Sequence, residues 1–306
     1  MPPKKKPVCV SDISTFFSLS TREKNDNINT IRENILDIVL DPPKEYLSDE
    51  KFGKFWDIVK KAFNDALKTL AEKTDIPEYT SIKIKPKGGR NSHYDKEIIY
   101  YQENKILGTR KVEFKNGGRR ISHLPQFLSL QVKFGLIEET YDKFYYENYI
   151  DKYISCDPLL TTSSKKPSLE VYLKSVTKTD LKVVPLFFSE LQNRELFFQK
   201  EKKSVVNLSI TDYLTKYGAS IDIKPFYEKV KKTQGEKHFL LWSDEKFYLD
   251  TFSDEEISKD MTFDSIKNGN SIEIKSGKVI YSLLLRWRNH KGILNPAWQI
   301  SMKRNE

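Results

Sequence analysis

The chain has 306 residues, 38% of them hydrophobic and 12% aromatic, with only 12 Gly and 13 Pro, enough apolar mass for a sizeable core and room for two average domains; disordered and fibrous classes are excluded. Net charge is +9 and unevenly placed: residues 81–120 hold eleven Lys/Arg against four Asp/Glu, residues 267–306 hold eight against two, and the remainder is acidic, as expected of a chain with a positive groove for phosphates. No run approaches the ~18 apolar residues of a membrane span, Cys9 and Cys156 are too distant for a disulfide framework or zinc knuckle, and no apolar leader is present, so an intracellular location, cytoplasmic or nuclear, is expected rather than secretion or a membrane.

Residues 1–20 read as a flexible N-terminal tail beginning Met-Pro-Pro-Lys-Lys-Lys-Pro. Ser18-Leu-Ser-Thr-Arg-Glu predicts a capped helix start, running to about Leu40 and stopped by Pro42-Pro43. A second helix opens at Ser48, and its apolar positions from Phe52 through Trp56, Val59, Phe63 and Leu67 to Leu70 recur at three and four, the period of a core-facing stripe. Thr80 to Lys85, Tyr94 to Gln102 and Arg110 to Lys115 then alternate like strands. Leu124 to about Tyr153 reads as largely helical, and Asp157 to Ser168 as a linker. Beyond it, Val205 to Ile210 and Phe239 to Phe252 read as strands, Thr211-Asp-Tyr-Leu as a helix start, and Ser271 to Lys275, Val279 to Trp287 and Ala297 to Met302 as a strand-rich end. The division expected is a core over 21–156 and a smaller α+β region over 169–306 that positions substrate, its last strands packing on the core.

The chemistry concentrates between His93 and Lys115. A hairpin turning around Glu103-Asn104-Lys105 places Asp95 opposite Glu113, on one face with Cβ atoms about 5 Å apart, and Lys115 two residues on shares that face. Val112 and Phe114 then point into a core. Two adjacent carboxylates raise each other's pKa unless a cation lies between them; an all-oxygen set suits Mg²⁺ or Mn²⁺, with the Phe114 carbonyl completing the coordination. Such an ion polarises a phosphodiester, while Lys115 orients water or stabilises charge at phosphorus. Acid-any-Lys occurs eight times in the chain, most instances being solvated ion pairs; Asp222-Ile-Lys224 and Glu273-Ile-Lys275 are the nearest rivals, with Asp250 upstream of Glu273 as a partner acid.

Asp95, seventeen intervening residues, then Glu113-Phe-Lys115 on the next strand resembles the PD-(D/E)xK nuclease superfamily, with Gly88-Gly89 before and Gly117-Gly118 after as glycine-bounded strand ends. The resemblance covers roughly residues 50–150, with Tyr94 where the motif often has Pro. It implies a restriction-endonuclease-like α/β fold, a mixed central β-sheet flanked by helices, and Mg²⁺-dependent phosphodiester hydrolysis with Asp95 and Glu113 as metal ligands. A further acid on the first core helix often belongs to the pattern, and Asp57, Asp65 and Glu72 are all candidates. Gln126 stands where some members carry a polar helix residue facing the site. Arg90, His93, Arg119 and Arg120 are candidate phosphate contacts.

The segment from Leu283 to Ser301 is the second feature. A strand there carries Arg286 and Arg288 on one face and Trp287 on the other, suited to phosphate contact and base stacking; the plain alternative makes Trp287 and Trp298 core. The sequence reading is therefore a metal-dependent DNA endonuclease of restriction type, with RNA the lesser expectation, no bound organic cofactor, and a homodimer where both strands are cut. The alternative is a non-catalytic nucleic-acid-binding protein retaining a nuclease-like fold.

Overall fold

A computed structural model describes residues 7–18, 25–87, 92–157, 166–178, 189–290 and 293–305. The chain is mixed α/β, with two five-stranded sheets, and divides into two compact units. The first comprises residues 1–124 and 230–253, the second 125–229 and 254–306. The expected boundary near 156–169 thus falls inside the second unit, which is slightly the longer of the two rather than the smaller.

In the first unit the order is α1 (Asn25–Ile38), α2 (Lys44–Ser48), α3 (Gly53–Lys73), β1 (Ser81–Pro86), β2 (Lys96–Gln102) and β3 (Lys105–Asn116), closed much later by β5 (Lys237–Ser243) and β6 (Lys246–Asp250). The sheet order is β1-β2-β3-β5-β6, antiparallel except for the parallel pair β3/β5. One face of this sheet, carrying Ile98, Tyr100, Val112, Phe114, Leu240 and Trp242, packs on the α3 stripe, on Ile35 and Leu36 of α1 and on Val39 just after it. The polar tips buried there are satisfied: Tyr100 OH donates to the Leu67 carbonyl (2.8 Å) and Trp242 Nε1 to the Phe16 carbonyl (3.1 Å). Gly53 lets α3 begin against α2, since a Cβ there would lie 2.7 Å from the Leu47 carbonyl oxygen.

The N-terminal segment corrects one expectation. Val10–Phe17 form a 3-10 helix whose Ile13 and Phe16 are buried in the core, because residues this apolar gain more from burial than a tail gains in entropy. Arg32, fully buried, ties it down by donating to the Thr15 and Ser18 carbonyls. The capped helix start expected after Ser18 involves residues 19–24, outside the described residues, as are the tail's first six residues and 158–165 of the linker.

The second unit holds β4 (Leu128–Gln131), α4 (Tyr141–Asn148), α5 (Ile150–Ser155), α6 (Leu169–Lys178), α7 (Ser189–Gln192), α8 (Arg194–Phe197), α9 (Lys200–Tyr217), most of α10 (Ile223–Gln234), β7 (Thr262–Lys267), β8 (Ser271–Ser276), β9 (Val279–His290) and β10 (Ile293–Arg304). Its sheet runs β4-β10-β9-β8-β7, antiparallel throughout. Two expectations fail here. Val205–Ile210 lies inside α9, where Val206, Ser209, Ile210, Tyr213 and Leu214 recur at helical spacing and are buried, so tertiary packing overrides the β-branched run. Residues 124–153 are interrupted by β4, which pairs with β10 through Leu128↔Ile300 to Gln131↔Ala297.

Candidate active site

The hairpin β2/β3 turns at Glu103-Asn104, with Glu103 in the left-handed region (φ 53°) and Gln102 opposite Lys105. Continued regularly, that two-residue turn would set Asp95 against Val112. The register shifts by one between Tyr100 and Tyr101, where Leu107 is left unpaired, and from there Tyr100↔Gly108 leads to Lys96↔Val112. A single bulge therefore moves β3 by one residue, so that the ladder ends at Lys96↔Val112, with Asp95 just before it and close enough to Glu113 to feel its charge. The Asp95 N–H donates to the Val112 carbonyl (3.0 Å) and the Phe114 N–H to Asp95 Oδ2 (2.9 Å). A residue's N–H and C=O leave an extended strand toward the same edge, so the Phe114 carbonyl also faces the Asp95 edge.

Lys115 and Glu113 meet at 2.5 Å (Nζ–Oε1), as the hairpin reading requires. A residue that the sequence reading missed takes the other oxygen: Lys237 at the start of β5 contacts Glu113 Oε2 and donates to the His93 carbonyl (2.9 Å). Its side chain is 4% exposed, that of Glu113 10% and that of Lys115 35%. Nothing local marks Lys237; it lies 124 residues beyond Glu113 and arrives only because β5 runs parallel to β3.

Burial, then the Glu113 charge, push the Asp95 carboxyl above its ordinary pKa, with Lys115, the Phe114 amide and Lys96 opposing. Burial works against the Lys115 ammonium, but Glu113, Asp95 and Glu33 outweigh it and hold its pKa above the ordinary value. For Lys237 burial prevails over Glu113 and the pKa is lowered. The helix acid acting on Lys115 is thus Glu33 of α1; Asp57, Asp65 and Glu72 are exposed on α3. Beside it Lys96 is clipped to α1 by Asp37 and by the Glu33 carbonyl (2.7 Å).

The donor set is two carboxylates and a carbonyl, all hard oxygens. Among the described residues no three His, Cys, Asp or Glu side chains gather as a metal-holding group. Mg²⁺ fits a set of this size, since it commonly takes one or two carboxylates and keeps several waters. A divalent ion beside Asp95 and Glu113 would also answer the desolvation and repulsion that raise the Asp95 pKa.

The remaining candidates are dispersed. His93 is exposed, two residues before Asp95, and serves Lys237 through its carbonyl. Arg119 is exposed and paired with Asp244 (2.8 Å), its guanidinium over the Tyr248 ring; Arg120 is exposed beside it, and Arg90 lies outside the described residues. Gln126 is not on a helix: it is an exposed loop residue before β4, in the second unit, whereas the trio is built wholly from the first. In the second unit Arg286 donates to Gln299 Oε1 (2.8 Å) and Arg288 to Ser129 Oγ, on the polar face of the sheet. Trp287 and Trp298 are buried on the other face, so neither is free to stack on a base. Trp287 packs against Tyr145 and Phe197 and donates to Tyr141 OH (3.1 Å).

Both rival acid sets dissolve. Asp222 precedes α10 and accepts the Lys224 N–H (3.0 Å), an N-cap arrangement rather than a strand pair. Glu273 pairs with Lys267 (2.7 Å), and Asp250 belongs to the other unit, where it accepts the Ile121 N–H (2.7 Å). No described helix is long and apolar enough to cross a membrane. Compared with known proteins, the chain matches no family model, no curated protein and no solved structure.

Proposed function

We propose that the protein is a metal-dependent nuclease that hydrolyses phosphodiester bonds of DNA, with Asp95, Glu113 and Lys115 as its active site. The observation that carries this reading is the gathering of two carboxylates and a lysine at the open end of β2/β3, where Asp95 accepts the Phe114 N–H and Lys115 meets Glu113. A mixed sheet packed on helices, with Asp95 immediately before its second strand and Glu113 on its third, also supports a restriction-endonuclease-like core. Asp95, Glu113 and the Phe114 carbonyl would hold Mg²⁺ or Mn²⁺. Once bound, the ion would polarise the phosphodiester and favour deprotonation of a nearby water.

Lys115 brings a positive charge to the non-bridging phosphate oxygens as charge builds up in the transition state, and orients the attacking water in line. The water oxygen bonds to phosphorus as the bond to the leaving sugar oxygen breaks; that oxygen takes up a proton, and configuration inverts. Arg119, Arg120 and His93 in the first unit, and Arg286 and Arg288 in the second, are proposed phosphate contacts; Gln126 is left without a role. Double-strand cleavage would call for two copies of the site, hence a homodimer.

Supercoiled plasmid incubated with Mg²⁺ or Mn²⁺ should be nicked or linearised, and EDTA should stop the reaction. Discrete bands would indicate sequence specificity of the restriction type, and a smear a non-specific enzyme. Salt-sensitive binding with no cleavage of plasmid, single-stranded DNA or RNA would replace this reading with a non-catalytic nucleic-acid-binding protein.

A further inference from the structure

We infer that Lys237 is a built-in ammonium standing where a second divalent cation would otherwise sit, so that this site takes one divalent ion, and that Lys115 is the group displaced when the ion enters. The inference rests on the reading of Asp95 and Glu113 as metal ligands.

Both oxygens of Glu113 are held by ammonium groups, Oε1 by Lys115 and Oε2 by Lys237. An incoming ion must therefore crowd one of these ammonium groups or displace it, and displacement relieves the repulsion. The two are not equivalent. Lys237 is fixed at the start of β5, 4% exposed, and donates to the His93 carbonyl as well as to Glu113. Taking it away would leave a buried charge without its partners. Lys115 is 35% exposed, and Glu33 on α1 is close enough to act on its charge, so it has both a route outward and a second anion nearby. The cheaper exchange replaces Lys115 at Oε1, on the oxygen turned away from Lys237.

Charge balance points the same way. Two-ion nuclease sites place divalent cations about 3.5–4 Å apart. Two such ions beside the Lys237 ammonium would set five positive charges against the two carboxylates, and no third acid joins Asp95 and Glu113 in a metal-holding group among the described residues. One divalent ion with Lys237 retained leaves a single positive charge over Asp95 and Glu113, the complement of one phosphodiester, while the Lys115 ammonium is offset by the Glu33 carboxylate near it. Lys115, released from Glu113, is then available to the phosphate.

The test is Mn²⁺ stoichiometry by calorimetry and electron paramagnetic resonance on the full chain without DNA, each variant checked for folding by circular dichroism. Wild type should bind one Mn²⁺ per chain, and binding should disappear in Asp95→Asn and Glu113→Gln. Lys115→Ala should bind one Mn²⁺ at least tenfold more tightly, its competitor being gone. Lys237→Met, or Lys237→Gln should the first fail to fold, should bind two, and Lys237→Arg one. Two ions in wild type, or a single ion in both neutral Lys237 variants, would overturn the inference while leaving the metal site standing. No Mn²⁺ bound, or binding that survives loss of both carboxylates, would overturn the metal reading and this inference with it.

Discussion

Glu113 is the residue on which most of the candidate site turns, because two ammonium groups share its carboxylate in a largely dry setting. Glu113→Ala strands Lys237 as a buried unpaired charge, and a loss of about 3–5 kcal/mol in unfolding free energy is expected. Glu113→Gln keeps the shape and an acceptor, so its chemical denaturation midpoint should lie much nearer wild type. A midpoint for the alanine variant equal to wild type would contradict the burial described here. A second residue-scale expectation concerns His238 on β5. Burial, then the Arg110 charge, hold its pKa below the ordinary imidazole value, so the folded state favours the neutral ring. The unfolded chain binds the proton more readily, and this part of the stability is lost as pH falls below about 6.5 toward the folded pKa. Urea midpoints at pH 7.5 and 5.0 should therefore fall less in His238→Gln than in wild type; an equal fall would show that His238 carries none of the acid sensitivity.

Among the elements, the hairpin shows how far pattern reading reaches. Alternation placed Asp95, Glu113 and Lys115 on one face and Val112 and Phe114 on the other; Val112 and Phe114 lie in the core and Glu113 meets Lys115, while Asp95 stands just before the ladder and accepts the Phe114 N–H. The route differs: a turn centred on Asn104 reaches that register directly, whereas the chain reaches it by a tighter turn and a bulge at Leu107. Side-chain alternation has a period of two, so two routes with one net register look alike in sequence. What stayed hidden is non-local. Lys237 and Glu33 reach the trio only through the β3/β5 pairing and the packing of α1, and no spacing within residues 93–115 encodes either. The strand β9 was legible as two faces but not as to which face was covered. Its covered face now makes a clear contrast. Trp287→Ala should cost about 3–5 kcal/mol by opening a cavity among Tyr145, Phe197 and Tyr141. Arg286→Ala and Arg288→Ala should change stability by no more than about 1 kcal/mol, yet each should lower the salt slope of DNA binding by about 1. Unchanged slopes in both would remove these arginines from the interface.

Taken whole, the molecule divides in a way that composition could not reveal. The linker-like stretch around 158–165 is flanked on both sides by residues of one unit, while the β5/β6 hairpin, without any compositional break, returns to the sheet begun by β1. The basic excess divides as well: residues 81–120 belong to the first unit and residues 267–306 to the second. A DNA-binding role for both segments predicts that log affinity falls linearly with log salt, by about 0.9 for each phosphate neutralised, whereas a merely lysine-rich surface predicts weak binding with no defined site. The most direct test of the central claim is plasmid cleavage in Mn²⁺ by wild type, Glu113→Gln and Lys115→Ala, with DNA binding measured in parallel. Both variants should bind DNA within about threefold of wild type and cut it slower by roughly 10²-fold or more. Cleavage at the wild-type rate by either variant, with EDTA still abolishing it, would place the chemistry elsewhere in the chain.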